Sequence, residues 1–121
     1  MCINTHNMFE KISEKDIISI NQQFDKGNII NKNSLSFALF HANKSLSWLR
    51  SCAFLVRAVL IDHVFEEGNK CTAAAIIAGF FEEKNIAYNP EEVSRLVIKI
   101  LKNNITNINN IEREIKNAII Q

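Results

Sequence analysis

Residues 63–81 read His63-Val64-Phe65-Glu66-Glu67-Gly68-Asn69-Lys70-Cys71-Thr72-Ala73-Ala74-Ala75-Ile76-Ile77-Ala78-Gly79-Phe80-Phe81. The pattern predicts a helix from Lys70 to about Lys84 that has no polar face after its first turn, because Ala73, Ala74, Ala75, Ile76, Ile77, Ala78, Phe80 and Phe81 surround it. A helix apolar all round belongs at the centre of a bundle. Glu66-Glu67-Gly68-Asn69 is a helix break ahead of it. Upstream, Trp48, Cys52, Leu55, Val56 and Val59 recur at helical spacing, with His63 one turn further along the same stripe. Two helices joined by an acidic, glycine-bearing turn are therefore the expected centre of an all-α domain, a compact bundle around one buried helix.

Toward the N-terminus, Ser13 is a natural N-cap for a helix running to about Lys26, with Ile17 and Phe24 on its apolar face. Gly27-Asn28 ends it. The stretch from Gly27 to Asn33 fits either a short two-stranded β-flap or a plain loop, and a second short helix is expected from Ser34, carrying Phe37, Leu39 and Phe40. Toward the C-terminus, Asn89-Pro90-Glu91-Glu92 opens a fifth helix, with proline in the first turn and acids beside the positive dipole end. Val93, Leu96, Val97, Ile100 and Leu101 form its inward stripe, Asn103-Asn104 breaks it, and Ile108, Ile111, Ile115 and Ile119 outline a last helix. No alternating strand pattern appears. Residues 1–121 are expected to form one domain, with 1–12 loosely held.

The bulk properties exclude some classes of function. Hydrophobic residues make up 47% and charged residues 22% of 121 residues, and the formal charge is +1. That is enough apolar material for one core, and there is no overall electrostatic case for nucleic acid or an anionic membrane as partner. Cys2, Cys52 and Cys71 are too few and too scattered for a disulfide framework or a cysteine-rich zinc site. The longest charge-free apolar run, Cys71 to Phe81, falls well short of the roughly 18–20 residues that span a bilayer. The chain reads as a cytoplasmic domain.

Chemistry concentrates between Asp62 and Thr72. A helix start near Lys70 presents backbone N–H groups without intrahelical partners, and phosphate is the ligand such an end suits best. Gly68 lets the backbone approach a ligand, while Asn69 and Lys70 add an amide and a cation. Phe65 can anchor the turn in the core. Glu67 supplies a hard oxygen of the kind Mg²⁺ takes alongside phosphate oxygens. His63 has the chemistry of a general base toward a hydroxyl. Each residue also has a plain structural reading: His63 as a core histidine, Glu66-Glu67 as a solvated turn, Gly68-Asn69 as a helix boundary, Lys70 as a surface lysine.

His63-Val64-Phe65-Glu66-Glu67-Gly68-Asn69-Lys70 resembles the signature of the Fic/Doc family, in which histidine, phenylalanine, an acidic or amide residue, a small residue and asparagine occur at this spacing. Lysine at position 70 and Thr72-Ala73 resemble the Doc (death-on-curing) branch; the AMP-transferring Fic branch has glycine where Lys70 stands. The similarity in length and helix order runs from roughly Ile12 to Ile119. It implies that His63 deprotonates a Ser or Thr hydroxyl, that Glu67 holds Mg²⁺, and that Gly68, Asn69 and Lys70 hold the phosphates of ATP. For the Doc branch it implies a toxin that transfers the terminal phosphate of ATP to a protein target, a translation elongation factor. The AMP-transferring reaction and a catalytically degenerate binding module are the alternatives. In the family the segment matching Gly27 to Ser36 is a flap that docks the target.

The chain departs from the family pattern at one point that matters. The arginine that follows the lysine is Cys71 here, and the further arginine typical of the AMP-transferring branch is Ala74. A thiol cannot replace a guanidinium that bonds phosphate bidentately, so either another cation such as Arg57 substitutes, or catalysis is slow or lost. Cys71 as a nucleophile or redox sensor is a weaker reading, since no neighbouring constellation asks for it. No Ser or Thr carries the family's inhibitory-helix motif, so restraint is expected from a separate antitoxin.

Overall fold

The computed structural model describes residues 11–120, and the chain folds there into six helices. These are α1 (Glu14–Asn21), α2 (Lys32–Lys44), α3 (Trp48–Leu60), α4 (Asn69–Glu83), α5 (Pro90–Lys102) and α6 (Ile108–Lys116). The all-α class expected from the sequence is the class observed. The expected looseness of residues 1–12 falls mostly outside the described residues, as does Cys2. Ile12, however, is buried, and it exchanges two hydrogen bonds with the Asn43 amide.

Polar caps set the helix starts. Ser13 and Asp16 form a reciprocal capping box at α1. Asn31, Ser47, Asn89 and Asn107 cap α2, α3, α5 and α6 by accepting from backbone N–H groups one turn in. Helix α1 stops at Asn21, five residues short of the expected end. The carbonyl of Asn21 accepts from the backbone N–H groups of both Phe24 and Asp25 at 2.8 Å, which tightens the chain into turns. Phe24 thereby leaves the apolar face and is exposed. Helix α2 starts at Lys32 and runs 13 residues, so it is neither as late nor as short as expected. Leu35, Ala38 and Ala42 face inward, while Phe37 and Phe40 point outward.

The core lies around α3 and α4. Helix α3 packs on α2, α4 and α6, and α4 packs on α3, α5 and α1. Eight residues of α3 are buried, among them Cys52, Leu55, Val56, Val59 and Leu60, and burial pushes the Cys52 thiol far above its ordinary pKa, leaving it inert. Helix α4 buries Ala73, Ile76, Ile77, Phe80 and Phe81, while Ala74, Ala75 and Ala78 stay half-buried along an open groove. Val93, Leu96, Val97 and Ile100 of α5 and Ile108, Ile111 and Ile115 of α6 are buried and close the bundle as expected, whereas Leu101 is only half-buried and Ile119 lies beyond the end of α6. Among the described residues there is no strand. Of the Gly27–Asn33 segment, residues 27–31 are a loop that makes one antiparallel bridge, Ile29 with Phe65, rather than a flap of its own, and Lys32 and Asn33 already belong to α2. No described helix is long and apolar enough to cross a membrane.

Asparagines in left-handed conformation end two helices. At Asn85 (φ 57°) the Ile86 N–H reaches back to the Phe81 carbonyl at 2.9 Å, and at Asn104 (φ 49°) the Ile105 N–H reaches Ile100 at 2.9 Å. This is the six-to-one bond of a Schellman cap, at a position glycine occupies with less strain. Asn85→Gly is expected to raise stability by about 0.5 kcal/mol and Asn85→Ala to lower it by about 1 kcal/mol, read from urea midpoints.

Candidate functional site

Helix α3 ends where the chain must leave the core. Ile61 is its C-cap, and the Asp62 N–H still reaches the Arg57 carbonyl at 3.3 Å. His63 then turns left-handed (φ 50°). That turn takes the imidazole off the α3 stripe, where a continuing helix would have put it, and leaves His63 exposed. The expectation that His63 continues the apolar stripe is therefore corrected, and with it the reading of a core histidine falls. A non-glycine residue in this conformation costs about 1–2 kcal/mol. It is held by bonds on both sides: Asn31 Nδ2 donates to the Asp62 carbonyl at 2.9 Å, and the N–H groups of Ile30 and Asn31 reach the Val64 carbonyl at 2.8 and 3.2 Å.

The turn after His63 is equally braced. Phe65 is fully buried and anchors it, as expected for an aromatic residue between two polar stretches. The Glu66 N–H donates to the Asn28 carbonyl at 3.0 Å. The Asn69 amide grips the Phe65 peptide unit at both ends, Oδ1 accepting from the Phe65 N–H at 3.1 Å and Nδ2 donating to the Phe65 carbonyl at 2.8 Å. Asn69 is thus first a brace of the turn, and a carboxamide in that role keeps only one further N–H for a ligand. Glu66 and Glu67 are exposed, and Glu66 Oε1 accepts from Asn28 Nδ2 at 3.3 Å.

A residue that sequence reasoning missed ties the site together. Asn21 is completely buried at the end of α1. Its Nδ2 donates to the Glu67 carbonyl and to Thr72 Oγ1, each at 3.0 Å, and its Oδ1 accepts from the Gly27 N–H at 2.7 Å. The one available signal was an amide four residues after Ile17 on an otherwise apolar stripe. Asn21 also explains Gly68, which is left-handed at φ 78°: a Cβ there would stand 3.1 Å from Asn21 Nδ2 and 3.4 Å from Asp25 Cβ. Gly68 caps α4 without a side chain, and its carbonyl takes the Thr72 N–H at 2.9 Å. The N–H groups of Asn69, Lys70 and Cys71 lie ahead of that first bond and have no intrahelical partner.

An exposed imidazole at His63, an exposed carboxylate at Glu67 and an exposed lysine at Lys70 thus lie on the short stretch of chain that leads into α4. Cys71 is exposed at the mouth of an apolar groove of about 300 Å³ that runs beside Phe24, Ala74, Ala78 and Tyr88. Among the described residues no three of His, Cys, Asp or Glu gather as a metal site. A single exposed carboxylate fits Mg²⁺ shared with phosphate oxygens, not an ion caged by protein alone. No protein-family model matches the chain, and no curated protein or solved structure matches it.

Proposed function

We propose that the chain is a Doc-like toxin that transfers the terminal phosphate of ATP to a Ser or Thr hydroxyl of a protein. The observation that carries the reading is His63, turned out of the core by a left-handed backbone that hydrogen bonds clamp on both sides, at the edge of the turn that opens α4. Strain maintained by surrounding bonds is characteristic of functional positions. His63 takes the proton of the attacking hydroxyl. The Gly68 backbone, the first N–H groups of α4 and Lys70 hold phosphate oxygens, with the remaining Asn69 N–H beside them. Glu67 positions Mg²⁺, which when bound neutralises phosphate charge. The target in this reading is a translation elongation factor in the cytoplasm, and a separate antitoxin restrains the activity.

Incubation of the purified chain with Mg²⁺, cell extract and ATP labelled on the γ-phosphate is expected to label a protein. Label arriving from the α-phosphate would replace this reading with AMP transfer. No label above a His63→Ala control from either position would remove both.

The second reading is a binding module that keeps the scaffold without catalysis, and the observation favouring it is Cys71, exposed in the first turn of α4 where the Fic/Doc pattern that the sequence resembles has arginine. Cys71→Arg separates the two. Added to a working site, a charged hydrogen bond to phosphate is worth roughly 1.5–3 kcal/mol, so γ-phosphate transfer should rise between about 10- and 160-fold. Retained nucleotide binding with no gain in transfer would favour the module.

A further inference from the structure

The sequence from Lys26 to Ile61 contains five Lys or Arg residues and no Asp or Glu, in a chain whose formal charge is only +1. This segment includes α2 and α3, and their outer side carries an aromatic cluster. Phe37 and Phe40 are 51% and 56% exposed. His41 stacks on Phe54 with ring centroids 5.0 Å apart and lies 4.3 Å from Phe37. Two cations rest on these rings: Lys44 Nζ is 4.8 Å from the Phe40 centroid, and the Arg57 guanidinium is 5.3 Å from that of Phe54. Arg50 pairs with Glu112, but neither Lys44 nor Arg57 makes an ion pair among the described residues. Exposed Phe held against Arg is the composition of an interface centre rather than of a solvated face.

We infer that this α2–α3 face docks an acidic protein segment whose bulky apolar side chains seat on Phe37 and Phe40 while its carboxylates pair with Lys44 and Arg57. Two other occupants fit less well. A second copy of the chain meeting this face two-fold would set Lys44 and Arg57, neither of them ion-paired among the described residues, against the same cations, which like charge opposes. A single-stranded nucleic acid needs a longer track of cations than Lys44 and Arg57 provide. The inference does not depend on the chemistry at His63, and its test contains no ATP.

Random 16-residue peptides displayed on phage, selected on the wild-type chain and counter-selected on the Phe37→Ala/Phe40→Ala variant, should converge on net-negative sequences with Leu, Phe or Trp spaced three or four residues apart. A selected peptide, followed by fluorescence anisotropy, should bind at least tenfold more weakly to the double alanine variant. It should also weaken to Lys44→Glu and as NaCl rises from 50 to 500 mM. Because Phe37 and Phe40 are exposed, the variants are expected to fold, which circular dichroism checks; amide shifts of the wild-type chain on peptide addition, confined to α2 and α3, give the same answer without any variant. Selected peptides with no acidic bias, equal binding to the double alanine variant, shifts elsewhere, or a 12-nucleotide oligo(dT) that binds this face more tightly than the peptides would each overturn the inference.

Discussion

Asn21→Ala is expected to lower the stability of the domain by about 2–4 kcal/mol, although it removes only a small side chain. Three hydrogen bonds go at once, and one partner, Thr72, is left where water does not reach. Thr72 is completely buried, while the Glu67 carbonyl and the Gly27 N–H, in the turn that Asn21 itself closes, are partly buried. Stranding a buried donor or acceptor costs about 1–3 kcal/mol, more than the roughly 1 kcal/mol net value of a satisfied bond. Thr72→Val is the matched control. It removes one acceptor and leaves Asn21 its bonds to Glu67 and Gly27, so it should cost no more than about half as much. Urea unfolding with an unchanged m-value would read both. A loss below about 0.5 kcal/mol for Asn21→Ala would mean that the turn carrying Gly68 holds its shape without α1. The same variant should speed amide exchange at Gly68 and Asn69 ahead of global unfolding, since Asn21 joins α1 to that turn through the Glu67 carbonyl.

What could be read from the sequence and what could not divides along a physical line. Periodicity reports which side of a helix is apolar, so the stripes of α3, α5 and α6 and the centrality of α4 were legible, as were the starts and stops marked by Ser13, Asn89-Pro90 and Asn103-Asn104. These signals are local. The errors arose where a side chain bonds to backbone distant in sequence. Asn21 ends α1 early because its amide serves Gly27, Glu67 and Thr72. Asn31 starts α2 early and at the same time holds the Asp62 carbonyl, 31 residues away. Periodicity extended α3 by one turn to His63, since nothing local announces a left-handed residue when it is histidine rather than glycine. The segment around Gly68 stood out in the sequence as a candidate site by its residue types, but the hydrogen bonds within it were not readable there: Asn69, expected on phosphate, spends two of its polar contacts on Phe65. Phe37 and Phe40 were visible as apolar residues, but only the structure shows that they point away from the core.

Substitution at His63 should move activity and stability in opposite directions. His63→Ala is expected to reduce γ-phosphate transfer by about 10²–10⁴-fold, the range for losing a positioned general base. It should leave the fold nearly unchanged, because the imidazole is exposed and makes no hydrogen bond among the described residues. His63→Gly should lose as much activity while standing about 1 kcal/mol above His63→Ala in stability, since glycine occupies φ near 50° without the Cβ penalty. A residue placed for packing shows the opposite coupling, losing stability as its side chain is cut back. The strained backbone is therefore informative in its own right: glycine or asparagine would fill the position at lower cost, and an imidazole there gains the fold nothing. Measuring single-turnover transfer and urea midpoints for the three proteins side by side tests the assignment. More than one-tenth of wild-type transfer in His63→Ala would count against His63 as the base, and a His63→Gly variant less stable than His63→Ala would show that the left-handed turn is not the source of strain.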